Sequence, residues 1–213
     1  MSNKEALSNK TLTMLVGPSA IGKSAIMEAI IQQNSDFAYV RSFTTRQPRV
    51  GEKSHYTFID KNQAEELLEN GQALTYSVHP TTLDIYGSTL ASYPKRHNLL
   101  DTLSGSVGEF RSLGFEHTTT LAIAAAPEQW RNWFTSRYPE PTPEAEKRLG
   151  EAALSINWAL QDPEACWLVN EEGALEKIAQ RAIAVTIEQR ITSSVPDEPY
   201  AMLELIDKGM WNH

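Results

Sequence analysis

Apolar positions in this chain fall into short unbroken runs and into helical spacing, and the two kinds alternate. Thr11-Leu-Thr-Met-Leu-Val16 predicts a buried strand after a polar lead-in over 1–10, and Ala25-Ile-Met-Glu-Ala-Ile-Ile31 lies in a helix predicted from about 23 to 33. Asn34-Ser-Asp breaks that helix, and Phe37-Ala-Tyr-Val40 reads as a short strand. A polar loop with several arginines, Ser42 to Lys53, precedes a strand near His55–Ile59. A short amphipathic helix over Asn62–Asn70 stops at Gly71, the residue type at which helices commonly end. Ala73–Val78 resumes strand character, and the segment starting at Ser88 is interrupted by Pro94.

The second half repeats the alternation. Asn98-Leu-Leu-Asp101 and Thr118–Ala125 are runs suited to buried parallel strands, and the second, closed by Pro127, leads into a helix over Glu128–Arg137. Tyr138–Pro143 carries too much proline for a helix interior. A helix over Glu144–Leu160, a strand Cys166–Val169 and a closing helix Ala174–Ile191 follow, and residues 192–213, with an exposed-looking Trp211, read as a surface appendage. Strands alternating with helices predict an α/β fold with a parallel sheet covered on both faces.

One segment turns the pattern into chemistry. Gly17-Pro-Ser-Ala-Ile-Gly-Lys-Ser24 sits between the first strand and the first long helix. This is G-x-x-x-x-G-K-S in strand–loop–helix context, a P-loop, so the expected architecture is the three-layer α/β/α P-loop NTPase fold. Gly17 and Gly22 let backbone N–H groups converge on an anion, and the helix N-terminus adds its partial positive charge. Gly17, Pro18, Ser19, Ala20, Ile21, Gly22, Lys23, Ser24 and Ala25 form the predicted phosphate cradle. Lys23 would neutralise the terminal phosphates, and the Ser24 hydroxyl would complete a Mg²⁺ shell.

Composition narrows the partners. The 213 residues suit one α/β domain with room for an insertion, and 41% hydrophobic with 22% charged residues describes an ordinary globule. A net charge of −8 disfavours nucleic acid and anionic membranes, so an anionic substrate needs locally clustered Arg and Lys. The lone Cys166 excludes an internal disulfide or a cysteine metal cluster, and reads as a small buried hydrophobe. With no apolar leader at the N-terminus, the expected location is the cytoplasm.

A second cluster supplies the arginines. In Arg41-Ser-Phe-Thr-Thr-Arg46-Gln-Pro-Arg49-Val-Gly-Glu52, followed by Tyr56-Thr-Phe58, two guanidiniums three residues apart can converge on one phosphate, and Tyr56 can add a phenolic donor. This segment closely resembles the acceptor-binding segment of guanylate kinases, S-x-T-T-R-x-x-R-x-G-E…Y-x-F. The resemblance covers roughly residues 11–190, with an acceptor-binding insertion at about 37–93, a short lid at about 135–148 and a tail at 191–213. It implies an ATP- and Mg²⁺-dependent phosphotransferase acting on a nucleoside monophosphate, most simply GMP or dGMP. By the same resemblance Ser42, Arg46, Arg49, Glu52, Tyr56, Tyr86 and Ser88 lie on the acceptor side, with Tyr86 at the phosphate and Ser88 at the base. Arg137 and Arg148 match the family's lid arginines, Asn170 the position near the donor adenine, and Asp101 the carboxylate that helps hold Mg²⁺.

The departures concern the acceptor base. Guanylate kinases hold the guanine edge with two carboxylates, and here Thr75 and Leu103 stand at those positions. Hydrogen bonds to a charged group are worth roughly 1.5–3 kcal/mol each, so guanine selectivity is expected to fall. Asp84, in a segment about two residues longer than usual, is a substitute carboxylate, and His79 a further base contact. Ala20 stands where the family commonly has glycine. Two alternatives follow: a related kinase for another phosphate ester such as ribose 1,5-bisphosphate, and a non-catalytic guanylate-kinase-like module that binds protein ligands. Retention of Lys23 and both lid arginines argues against the second.

Overall fold

The computed structural model describes residues 3–48, 56–78, 82–189 and 194–211. Its elements begin with α1 (Asn3–Leu7), β1 (Thr11–Val16), α2 (Lys23–Gln33), β2 (Phe37–Tyr39), β3 (Phe43–Thr44) and β4 (Thr57–Phe58). Next come α3 (Lys61–Glu69), β5 (Ala73–Val78), β6 (Ile85–Thr89), β7 (His97–Asp101) and α4 (Val107–Arg111). The chain continues through β8 (His117–Ala124), α5 (Pro127–Arg137), α6 (Pro143–Gln161), β9 (Ala165–Val169), α7 (Leu175–Glu188) and α8 (Glu198–Lys208).

Every residue of β1 is buried, as required of a strand covered on both faces. It is the middle strand of a five-stranded sheet of order β2-β7-β1-β8-β9. The outer pairs β2–β7 and β8–β9 are parallel, with Ala38 beside Asn98 and Ala122 beside Trp167. The order brings the carboxyl ends of β1 and β7, where the P-loop and Asp101 follow, to neighbouring strands of one sheet, the usual ligand edge of an open α/β sheet.

The chain divides into two compact units. One comprises residues 1–12, 36–100 and 108–118. It carries a four-stranded sheet of order β4-β3-β6-β5, in which β3 runs parallel to β4 and antiparallel to β6. Helix α3 starts at a capping box: Asp60 Oδ1 accepts from the Gln63 N–H at 2.8 Å, and the Gln63 side-chain oxygen accepts from the Asp60 N–H at 3.0 Å. The other unit comprises residues 13–35, 101–107 and 119–213. There α2 packs on α7, and α8 packs on α5 and α6. The Thr13 and Thr186 hydroxyls, both buried, satisfy each other at 3.0 Å.

Most predicted elements lie within a residue or two of the observed ones. The differences are physical. The polar lead-in contains α1, whose Leu7 is fully buried. The arginine-bearing loop contains β3, which pairs with β4 and β6; just past it the Thr45 N–H donates to the Ile85 carbonyl at 3.0 Å, and Thr45 Oγ1 accepts from the Ile85 N–H at 2.9 Å. The segment expected as an appendage contributes α8, whose Met202 and Leu205 are buried together with Met210 beyond its end. Cys166 is buried, as expected. Among the described residues no helix is long and apolar enough to cross a membrane.

Candidate active site

The loop between β1 and α2 has the backbone its glycines permit. Gly17 has φ +154°, and a Cβ there would meet the Ile123 carbonyl at 2.8 Å. Gly22 has φ +92°, the left-handed region, and a Cβ would lie 2.5 Å from the Asn170 side-chain nitrogen. Ala20 shares that region at φ +62°, without glycine's freedom. Left-handed backbone costs an L-residue roughly 1 kcal/mol. Ala20→Gly is therefore expected to raise the unfolding free energy by about 0.5–1 kcal/mol, or Tm by roughly 1–4 °C. A thermal melt in which Tm falls would show that the Ala20 methyl contributes more by packing than its backbone costs.

Two tethers hold this loop from elsewhere in its unit, and Lys23 adds bonds from within it. The Trp130 indole N–H donates to the Ser19 carbonyl at 3.0 Å. The Asn170 side-chain amide donates to the Ile21 carbonyl at 2.9 Å, and its own backbone N–H is held by Ala124. Lys23 Nζ donates to the Gly17 and Pro18 carbonyls at 2.7 and 2.9 Å. Ser24 and Ala25, in the first turn of α2, are exposed.

Lys23 is also 3.7 Å from the Asp101 carboxylate at the end of β7. Burial pulls the Lys23 pKa below its ordinary value; Asp101 opposes this, while Arg137 and Arg148 push it further down. Burial raises the Asp101 pKa, against the pull of Lys23. Of the predicted residues, Asp101, Arg137 and Arg148 thus all come within electrostatic reach of Lys23. Arg148 is held by Glu151 at 2.8 Å and faces Glu144 at 3.9 Å. Arg137 lies over the Tyr138 ring at 5.5 Å.

Asn170 lies against this loop with its amide already committed to the Ile21 carbonyl. It lines a cavity of about 400 Å³ with Ala20, Gly22, Ala25, Trp133 and Glu171. Trp133 supplies an aromatic wall that the sequence had not singled out. Its recurrence one helical turn from Trp130 was the available signal, and it reads equally as core packing.

The predicted acceptor residues gather in the other unit. Arg46 sits over the rings of Tyr56 and Phe58, 5.4 and 5.3 Å from their centroids. Tyr56 meets Tyr86 edge-on at 5.8 Å. Ser42 precedes β3, and its carbonyl accepts from the Thr57 N–H at 2.8 Å. Arg49, Glu52 and His79 lie outside the described residues. Thr75 and Ser88 are opposite each other on β5 and β6, after a bulge between Ala73 and Thr75. Both are buried, and their hydroxyls are 2.8 Å apart. The Tyr93 hydroxyl donates to Ser88 Oγ at 2.9 Å. Burial pushes the Tyr93 phenol up to about 12, so it stays a donor. Tyr93 was not foreseen. Asp84 accepts from the Thr82 hydroxyl at 2.6 Å, and Leu103 is 69% exposed.

The family model described as guanylate kinase matches residues 9–99. The guanylate kinase of Trichormus variabilis is 41% identical over 75 residues, which cover 34% of this chain and 38% of that protein. That of Rhodococcus jostii is 26% identical over 179 residues, 80% of this chain and 84% of that one. The alignments of higher identity thus span less than two-fifths of the relatives' length. The crystal structure of guanylate kinase from Anaplasma phagocytophilum matches with a TM-score of 0.56 at 19% identity, covering 100% of both chains. That likeness is one of fold, the P-loop NTPase arrangement with a parallel five-stranded core sheet.

Proposed function

We propose that this chain, which is similar to guanylate kinases, belongs to that family and transfers the γ-phosphoryl group of ATP to the phosphate of a nucleoside monophosphate, GMP or dGMP first, in the cytoplasm. The observation that carries this reading is the P-loop Lys23 beside Asp101 with Arg137 and Arg148 in electrostatic reach. Lys23, its basicity lowered by burial and further by the two arginines, gains a partner when a polyphosphate arrives.

The reading gives each residue a task. The N–H groups over Gly17–Ala25 and the start of α2 cradle the donor phosphates, with the cavity beside Asn170 taking the donor base. Lys23 leaves the Gly17 and Pro18 carbonyls for a phosphate oxygen. Arg137 and Arg148, on either side of the proline loop in the 135–148 lid, neutralise charge on the transferring group and help exclude water. Arg46, Arg49, Tyr56 and Tyr86, in the 37–93 insertion of an 11–190 catalytic domain, orient the acceptor phosphate, with Ser42 and Glu52 supporting them. The acceptor phosphate oxygen attacks the γ-phosphorus, the bond to the β-bridging oxygen breaks, and ADP leaves. Catalysis is positioning and charge neutralisation, without a protein nucleophile.

The hydroxyl of exposed Ser24 and the carboxylate of Asp101 are hard oxygen donors of the kind Mg²⁺ takes together with waters and phosphates. When bound with ATP, Mg²⁺ supplies further neutralisation of the β- and γ-phosphates. Thr75, at a position where a carboxylate is expected, has its hydroxyl bonded to that of Ser88, which favours one second reading: an acceptor without a guanine, such as ribose 1,5-bisphosphate.

Arg46→Ala tests the division of labour. The expected result is an acceptor KM raised roughly 10- to 100-fold, from the loss of charge-assisted hydrogen bonds, with ATP affinity unchanged by calorimetry. Loss of ATP affinity with the acceptor KM retained would reverse the two sites.

A further inference from the structure

We propose that the C-terminal segment 198–211 positions the lid, with Trp211 acting as a positioning residue for Arg137 through Tyr138. The proposal rests on the assignment of Arg137 to the donor phosphates. The Trp211 indole N–H donates to the Tyr138 carbonyl at 3.0 Å. Tyr138 is the residue directly after α5, its own N–H held by the Phe134 carbonyl at 2.8 Å. Its ring carries the Arg137 guanidinium. Among the described residues Arg137 makes no ion pair, whereas Arg148 is held by carboxylates of its own helix.

The support continues inward. Trp211 packs on Phe134 at 6.0 Å between ring centroids, and Phe134 packs on Tyr138 and Trp130 at 4.9 and 5.9 Å. Trp130 holds the Ser19 carbonyl, and the Tyr138 hydroxyl lies 3.4 Å from Ser19 Oγ. One aromatic post therefore ties the P-loop to the ring beneath Arg137, and its outer member comes from the end of the chain. The segment itself is anchored by buried Met202, Leu205 and Met210. An arginine side chain has much rotamer freedom to lose on engaging a phosphate. Stacking on a ring whose backbone is pinned removes part of that freedom beforehand, which acts on kcat when the contact forms in the transition state.

Trp211→Phe keeps a ring and removes the N–H donor. The expected result is a kcat lowered about tenfold, with KM for ATP and acceptor unchanged. In an Arg137→Ala background the same change should lower kcat by less than about twofold, because the partner it positions is gone. Hydrogen exchange of amides 138–148, slowed in the wild type by Mg²⁺ and the ATP analogue adenylyl-imidodiphosphate, should lose that slowing in Trp211→Phe. An unchanged kcat, or a tenfold loss that persists without Arg137, would overturn the proposal. Replacing Trp211 by 3-benzothienylalanine, isosteric but lacking the N–H, repeats the test should the phenylalanine variant unfold. A wild type that binds no ATP analogue would overturn the kinase reading itself; a wild type that binds and turns over, with the variant equal to it, would overturn only the role of Trp211.

Discussion

Lys23→Ala is expected to lower kcat for phosphoryl transfer at least about 10³-fold while leaving the protein folded. The loop does not depend on Lys23 for its shape: Trp130 holds Ser19, Asn170 holds Ile21, and the left-handed Gly22 sets the entry to α2. What the ammonium provides, on the proposed reading, is charge where the phosphates would arrive. The measurement is steady-state turnover with ATP and GMP on protein whose circular dichroism and Tm match the wild type. Near wild-type turnover in such protein would remove Lys23 from catalysis.

The parts of the molecule that could be read from the sequence are those written in contiguous residues. The P-loop is eight consecutive positions between a strand and a helix, and its tethering partner Lys23 lies inside the motif. Strands β1, β7, β8 and β9 are dense apolar runs, so burial on both faces left a local mark. What was not legible depends on partners distant in sequence. That the Asn170 amide is taken up by the Ile21 carbonyl is not written near either residue in the sequence. Strand β3 is two residues long and exists because β6 and β4 flank it. The pairing of Thr75 with Ser88 requires the register of β5 and β6 together with a bulge that no local pattern announces. Helix α8 has apolar residues, but Pro196 and Pro199 just before them make the segment read as an appendage, and its packing on α5 and α6 makes it part of the fold. The strain at Ala20 was half legible, because a residue with a Cβ stood where the family has glycine, but only the observed φ gives it a sign.

Discrimination among acceptors is expected to be weak, with kcat/KM for GMP exceeding that for at least one other phosphate acceptor by no more than about tenfold. A guanine-reading site needs acceptors for N1–H and N2–H, and two ionised carboxylates together contribute roughly 3–6 kcal/mol, or two to four powers of ten. Here the first position is Thr75, whose hydroxyl is buried and already shared with Ser88, while Tyr93 occupies Ser88 from the other side. The three hydroxyls satisfy one another, so none has to be paired by a base, and an acceptor lacking the guanine edge leaves no buried polar group unsatisfied. That removes the penalty by which a polar pocket rejects the wrong substrate. Thr75→Glu is expected to shift the balance toward GMP, since Ser88 can turn its hydroxyl to the new carboxylate and leave one oxygen for the base. The measurement is kcat/KM for GMP, dGMP, AMP, CMP, UMP and ribose 1,5-bisphosphate at one ATP concentration, for both proteins. A wild type that prefers GMP several thousandfold would show that another group, Asp84 foremost, reads the guanine. Turnover of the sugar bisphosphate alone would move the activity to a phosphate ester without a base, with the phosphate clamp around Arg46 unchanged in its task.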